Sequence, residues 1–139
     1  MIIERQLNCT AREFFDVLVE AMINDINIST DHKIKKSRLK EGYSYTKTIV
    51  NKKNQQARAT ITKYDENNRL CLQTMSDQGT TIMDYEIKEI NDHLIQILYK
   101  EEYRKNNGKL YDGFFYKHSV KKRMSLYFSR LEKYINSRK

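Results

Sequence analysis

Between Tyr43 and Tyr103 apolar and polar residues alternate with a period of two, in five successive runs: Tyr43–Val50, Gln56–Tyr64, Leu70–Ser76, Thr80–Ile90 and Leu94–Tyr103. Side chains of a strand point alternately to opposite faces, so this pattern predicts strands with one dry and one wet side. The dry row holds Ala57, Ala59 and Ile61, then Met83, Tyr85 and Ile87, then Ile95, Ile97 and Tyr99; the wet row holds Arg58, Asp84, Glu86 and Lys88 among others. The connectors Asn51-Lys52-Lys53-Asn54, Glu66-Asn67-Asn68, Asp77-Gln78-Gly79 and Asn91-Asp92 are rich in turn formers and too short to hold crossover helices. The runs are therefore predicted to pair antiparallel with their sequence neighbours, one face covered and one wet.

The flanks carry a different period. Ile2–Leu7 reads as an opening strand, and Thr10 with Glu13 three residues later forms a capping box, with Cys9 and Phe14 at the staple positions. Phe14, Phe15, Leu18, Met22 and Ile26 follow at helical spacing, and the pattern decays over Asn24–Thr30, where a second short helical turn fits. Residues 31–41 are rich in lysine with little apolar content, and no element is assigned to them. After the break at Asn106-Asn107-Gly108 comes an aromatic connector (Tyr111, Phe114, Phe115, Tyr116). Val120, Met124, Tyr127, Phe128, Leu131 and Ile135 then mark a long C-terminal helix with an apolar stripe.

These elements define an α+β domain of six or seven strands in which the final helix covers the dry face of a bent sheet. The order resembles the START-like (SRPBCC, helix-grip) superfamily, whose curved antiparallel sheet grips a C-terminal helix. The segment Gly42-Tyr43-Ser44-Tyr45-Thr46-Lys47-Thr48 and the overall length are similar to a small uncharacterised bacterial family within it. The resemblance covers essentially the whole chain and implies a cavity for a small hydrophobic or amphipathic molecule between sheet and helix. Residues 31–41 depart from it, since the superfamily usually places a short helix or a strand lead-in there.

Composition narrows the picture. With 139 residues the chain is the size of one domain, and its two cysteines, Cys9 and Cys71, stand in no metal or redox spacing. No apolar run reaches the ~20 residues of a membrane span and no signal peptide leads the chain, which predicts a cytoplasmic protein, monomeric or homodimeric. The net charge of +8 is unevenly placed. Residues 33–63 carry 10 basic and 1 acidic side chains and residues 104–139 carry 11 and 2, whereas 1–32 carry 2 and 6 and 64–103 carry 3 and 9. Alternating blocks of this kind either steer an anionic partner to one face or pair off across neighbouring elements.

Candidate chemistry is sparse. His32, His93 and His118 have no partner at ligand spacing, no nucleotide or nucleophile motif occurs, and no cofactor, metal site or catalytic motif is indicated. Asp84 and Glu86 share the wet face with Lys88 and read as a solvated charge row. Glu101 continues the parity of Ile95, Ile97 and Tyr99, so an unbroken strand points it toward the covered side, unless the strand bulges or a basic side chain neutralises it. The candidate cavity residues are Tyr45, Ala59, Met83, Tyr85, Ile97, Tyr99, Glu101, Met124 and Phe128. The START-like resemblance allows for cyclases or hydrolases that use pocket acids, and by geometry alone Glu101 with Tyr99 would be the first suspects for acid–base chemistry. An alternative reading is RNA or ribonucleoprotein binding through Lys33, Lys35, Lys36, Arg38 and Lys40 together with Lys121, Lys122 and Arg123, with Tyr43 or Tyr45 stacking on bases.

Overall fold

The computed structural model describes residues 1–48 and 55–139. The predicted Val50 end of one strand and the turn Asn51-Lys52-Lys53-Asn54 lie outside the described residues. Six strands, β1 (Ile2–Leu7), β2 (Ser44–Thr48), β3 (Gln56–Asp65), β4 (Arg69–Met75), β5 (Gly79–Asn91) and β6 (Leu94–Lys105), form one curved antiparallel sheet in the order β1-β6-β5-β4-β3-β2. Among the described residues two helices, α1 (Ala11–Thr30) and α2 (Phe114–Ser137), and a 3-10 turn at Lys36–Arg38 accompany the sheet. The α+β architecture predicted from the period change is observed, and it has the helix-grip form that the resemblance implied.

Register explains how the dry face is assembled. Tyr85 pairs with Tyr99 and with Leu70, and Ile87 pairs with Ile97, which places the inward rows of β4, β5 and β6 side by side. On β1 the partners Ile3↔Tyr99, Arg5↔Ile97 and Leu7↔Ile95 put Arg5 on this same inner face. A register shift in β3 between Ile61 and Lys63 inserts one extra residue against β4. Beyond it Tyr64 pairs with Leu70 and turns inward, where its ring meets Phe15 edge-on at 5.4 Å. Such bulges bend a strand and increase its twist, which suits a sheet that must curl around helices.

The capping box forms as predicted: the Glu13 amide donates to Thr10 Oγ1 (3.1 Å) and the Thr10 amide donates to Glu13 Oε1 (2.9 Å). Helix α1 then runs unbroken to Thr30 rather than decaying at Asn24. The reason is tertiary: Ile26 is 1% exposed, so packing overrides the weak propensity of the Asn, Asp, Ser and Thr around it. Those polar residues finish the helix instead. Thr30 Oγ1 donates back to the Ile26 carbonyl (2.7 Å), Asn27 Oδ1 accepts from the Ile34 amide (2.9 Å), and Asp31 takes a left-handed conformation as the C-cap.

Helix α2 begins at Phe114, so three aromatics read as connector, Phe114, Phe115 and Tyr116, lie in its first turn. It packs against α1 and β1. Arg5 donates from Nη1 to the Ser125 carbonyl (2.7 Å) and from Nη2 to Ser129 Oγ (2.6 Å), and the Asn8 amide donates to Glu132 (2.7 Å). Of the predicted stripe, Val120, Met124, Phe128, Leu131 and Ile135 are buried and Tyr127 is half-buried. The outer face corrects one expectation: Asp84 is buried rather than part of a solvated charge row, because Arg69 lies over it with two hydrogen bonds of 3.0 and 2.8 Å. Both cysteines are free and buried.

Candidate functional site

Aromatic rings pack against one another beneath α2. Phe128 is fully buried, with ring centroids 6.2 Å from Phe14, 6.4 Å from Tyr85, 6.0 Å from Tyr99 and 6.0 Å from Tyr127. Tyr85 and Tyr99 stand 4.8 Å apart. Of the residues predicted to line a cavity, Ile97, Tyr99, Met124 and Phe128 belong to the buried core and border neither of the two clefts described below.

Glu101 points inward as its parity required, and the structure supplies it with partners. Its carboxylate is 3% exposed and accepts from the Tyr99 hydroxyl, from the Tyr116 hydroxyl (3.0 Å) and from Arg123 Nη2 (2.7 Å). Burial pushes the Tyr99 phenol well above its ordinary range, reinforced by Tyr85 and by Glu101, and burial with the Glu101 charge does the same to Tyr116. Both phenols therefore stay protonated and donate. Burial works against the Arg123 charge, but the facing carboxylate outweighs it and the guanidinium is held more firmly protonated. Three donors on one carboxylate satisfy much of its accepting capacity and tie β6 to the first turns of α2. Arg123, counted in sequence among the cations of a polyanion patch, is spent on this pair.

Two of the clefts among the described residues take in predicted site residues, and both lie against α1. The larger has a volume of about 870 Å³ and lies between the C-terminal end of α1, the segment after it, and the outer strands β2 and β3. Its walls combine apolar and aromatic groups (Ile26, Ile34, Tyr43, Tyr45) with Lys33, Lys35, Arg38 and Arg58, and His32 stands at its edge. The rings of Tyr43 and Tyr45 are 6.4 Å apart. Arg58 is steadied by donating to Thr46 Oγ1 (3.2 Å). The smaller recess, about 200 Å³, lies between α1 and the inner sheet face and takes in Ala59, Met83 and Tyr85, with Tyr127 of α2 on its rim.

Tyr45 belongs to both walls and forms the partition. Its hydroxyl donates to Asp25 of α1, and Lys47 Nζ lies 3.5 Å from the same carboxylate. Burial, and next the hydrogen bond to Asp25, raise the Tyr45 phenol far above its usual range, so it remains a neutral donor.

The predicted residues are thus redistributed. Tyr45, Ala59, Met83 and Tyr85 reach open space, and Lys33, Lys35 and Arg38 converge on the larger cleft. Lys36 turns back to Asp16 on α1 (3.2 Å), and Lys40, Lys121 and Lys122 border neither cleft. Arg58, Ile34 and Asp25 were not singled out in sequence. Arg58 sits on the wet row of a strand and Ile34 is a lone apolar residue among lysines, so only tertiary placement identifies them. Among the described residues no cluster of His, Cys, Asp or Glu could hold a metal ion, and no helix is long and apolar enough to cross a membrane.

The fold is that of helix-grip proteins. Over 99% of this chain and 98% of the other, it is similar to Ara h 8.0201, a Bet v 1-like protein, at 12% identity with a TM-score of 0.65. It is likewise similar to an uncharacterised protein from Rhizobium leguminosarum (10% identity, 99% and 93% of the two chains, TM-score 0.61) and to CalU16 from Micromonospora echinospora (12%, 98% and 82%, 0.53). No curated protein sequence matches the chain. Residues 1–125 match the model of a domain of unknown function, DUF3284, and the chain belongs to that family.

Proposed function

We propose that the protein binds a small amphipathic molecule that carries an anionic group, with its polar end in the cleft between α1, residues 32–38 and strands β2 and β3. The observation that carries this reading is the lining of that cleft, in which Tyr43, Tyr45, Ile26 and Ile34 adjoin Lys33, Lys35, Arg38 and Arg58 in a volume of about 870 Å³. Small-molecule sites commonly span roughly 300–1,000 Å³ and join an apolar wall to a few placed polar groups. The helix-grip likeness is compatible with ligand binding in general, and the lining narrows the ligand class. The apolar end of the molecule is directed past Tyr45 toward the recess over Ala59 and Met83. The site so proposed is the sheet's mouth against α1, whereas the START-like resemblance implies one between the sheet and the C-terminal helix.

A titration with 1-anilinonaphthalene-8-sulfonate, which joins an aromatic body to a sulfonate, tests the reading. Saturable binding to one site is expected, weakened about tenfold (about 1.4 kcal/mol) by the Arg38→Ala/Arg58→Ala double variant. Binding that is absent, or that is indifferent to both arginines, overturns it. Retention of single-stranded RNA that falls steeply with salt, with no saturable uptake of the probe, would instead favour the nucleic-acid reading.

A further inference from the structure

The first turn of α2 carries an apolar surface that the fold does not use. Phe114 and Phe115 are 77% and 83% exposed, far more than any other aromatic side chain of the core-forming elements, and their rings meet edge-on at 5.7 Å. Phe114 also stacks on His118, and the exposed Leu110 and Tyr111 precede the pair in the chain. An aromatic pair held in water at the tip of a rigid helix is unfavourable unless something covers it.

The charges around the pair decide what that something is. Residues 104–122 hold six basic side chains and one acidic one, Asp112. Among the described residues Lys117, Lys121 and Lys122 have no ion-pair partner, in contrast to Arg123, which is spent on Glu101. The helix starts at Gly113 without a side-chain cap, so the positive end of its dipole adds to the same field. A second copy of this chain would bring two such positive ends together, and like charges oppose that contact. An anionic lipid surface complements both features: aromatic rings settle at the boundary of headgroups and acyl chains while lysines meet the phosphates.

We propose that the N-terminal tip of α2 docks the protein reversibly on anionic lipid surfaces, with Phe114 and Phe115 as the inserted groups and Lys117, Lys121 and Lys122 as the electrostatic contact. This surface is separate from the cleft at α1 and does not depend on the ligand proposed there.

Co-sedimentation with phosphatidylcholine vesicles, with and without phosphatidylserine, tests it. The protein is expected to sediment with the phosphatidylserine vesicles and to remain largely in solution with phosphatidylcholine alone. Phe114→Ser/Phe115→Ser should reduce the bound fraction about tenfold or more. Lys117→Glu/Lys121→Glu/Lys122→Glu should abolish the preference for phosphatidylserine. All five side chains are exposed, so circular dichroism and melting of both variants should match the parent, which shows that any loss is one of docking. No sedimentation of the parent, or equal sedimentation of parent and phenylalanine variant, overturns the proposal. So does a dimer in analytical ultracentrifugation that the phenylalanine substitutions dissociate, since the patch would then be a contact between copies.

Discussion

Truncating Phe128 to alanine distinguishes a filled interior beneath α2 from an open one. The ring is fully buried and touches the rings of Phe14, Tyr85, Tyr99 and Tyr127, contributed by α1, β5, β6 and α2 itself. Removing it forfeits the transfer energy of the ring and leaves a void whose walls cannot easily close, since Tyr99 is pinned by Glu101 and Tyr85 by its strand neighbours. Substitutions of this kind cost about 3–5 kcal/mol, a large share of the roughly 5–15 kcal/mol that stabilises a typical domain. Had the ring faced an open cavity, truncation would lose only part of one side chain's burial, under about 2 kcal/mol. Urea unfolding followed by far-ultraviolet circular dichroism gives the difference from the midpoint and slope. Phe115→Ala, at an exposed site on the same helix, serves as the reference and should stay within about 0.5 kcal/mol of the parent. A loss below about 2 kcal/mol for Phe128→Ala, with unchanged slope, would refute the filled interior.

Three further outcomes follow from the same geometry. In a double-mutant cycle, Arg123→Met and Glu101→Gln should couple by about 1–2 kcal/mol, discounted because the Arg123 side chain is 57% exposed and solvent screens it; additive losses would mean that the pair contributes nothing. Burial pushes the Glu13 carboxyl up, but the Thr10 hydrogen bonds and Lys139 outweigh it and hold its pKa below the ordinary 4.5. The resulting stabilisation is present above about pH 4.5 and lost as pH falls through the folded-state value; the stability gap between parent and Glu13→Gln should therefore narrow on acidification, and a constant gap contradicts the capping account. Gly79→Ala would set a Cβ 2.3 Å from the Arg104 carbonyl oxygen across the β5–β6 ladder, so a loss of about 2 kcal/mol or more is expected in thermal unfolding, whereas an unchanged melting temperature would refute the close approach.

The meander was legible because its signals are local. Alternation over Met83-Asp84-Tyr85-Glu86-Ile87 and short polar turns leave an antiparallel neighbour as the simplest partner, and the pairing of β5 with β6 follows. Thr10 and Glu13 likewise declare a helix start within four residues. Sequence reading failed where distant packing decides. The second half of α1 looks like a breaker until Ile26 is seen against the core, and residues 31–41 look like a solvated lysine loop although Leu39 among them is buried. Parity put Glu101 correctly inward but could not show that Tyr116 and Arg123, 15 and 22 residues away, would satisfy it. The same parity placed Arg5 inward between Ile3 and Leu7. An arginine in an inward row must find a partner, and that signal would have indicated where α2 lies. Packing is hidden for a similar reason: alternation gives the side of the sheet on which Tyr85, Tyr99 and Phe128 lie but not how closely their rings approach.

The central claim is that a ligand enters at the mouth framed by α1, residues 32–38 and strands β2 and β3. Two-dimensional ¹H–¹⁵N spectra recorded while 1-anilinonaphthalene-8-sulfonate is added test it most directly. Saturating shifts should cluster at Ile26, Thr30, Ile34, Tyr43, Tyr45 and Arg58 and leave Ile97, Met124 and Phe128 in place. Shifts centred on those three core positions, or none that saturate, would contradict the account.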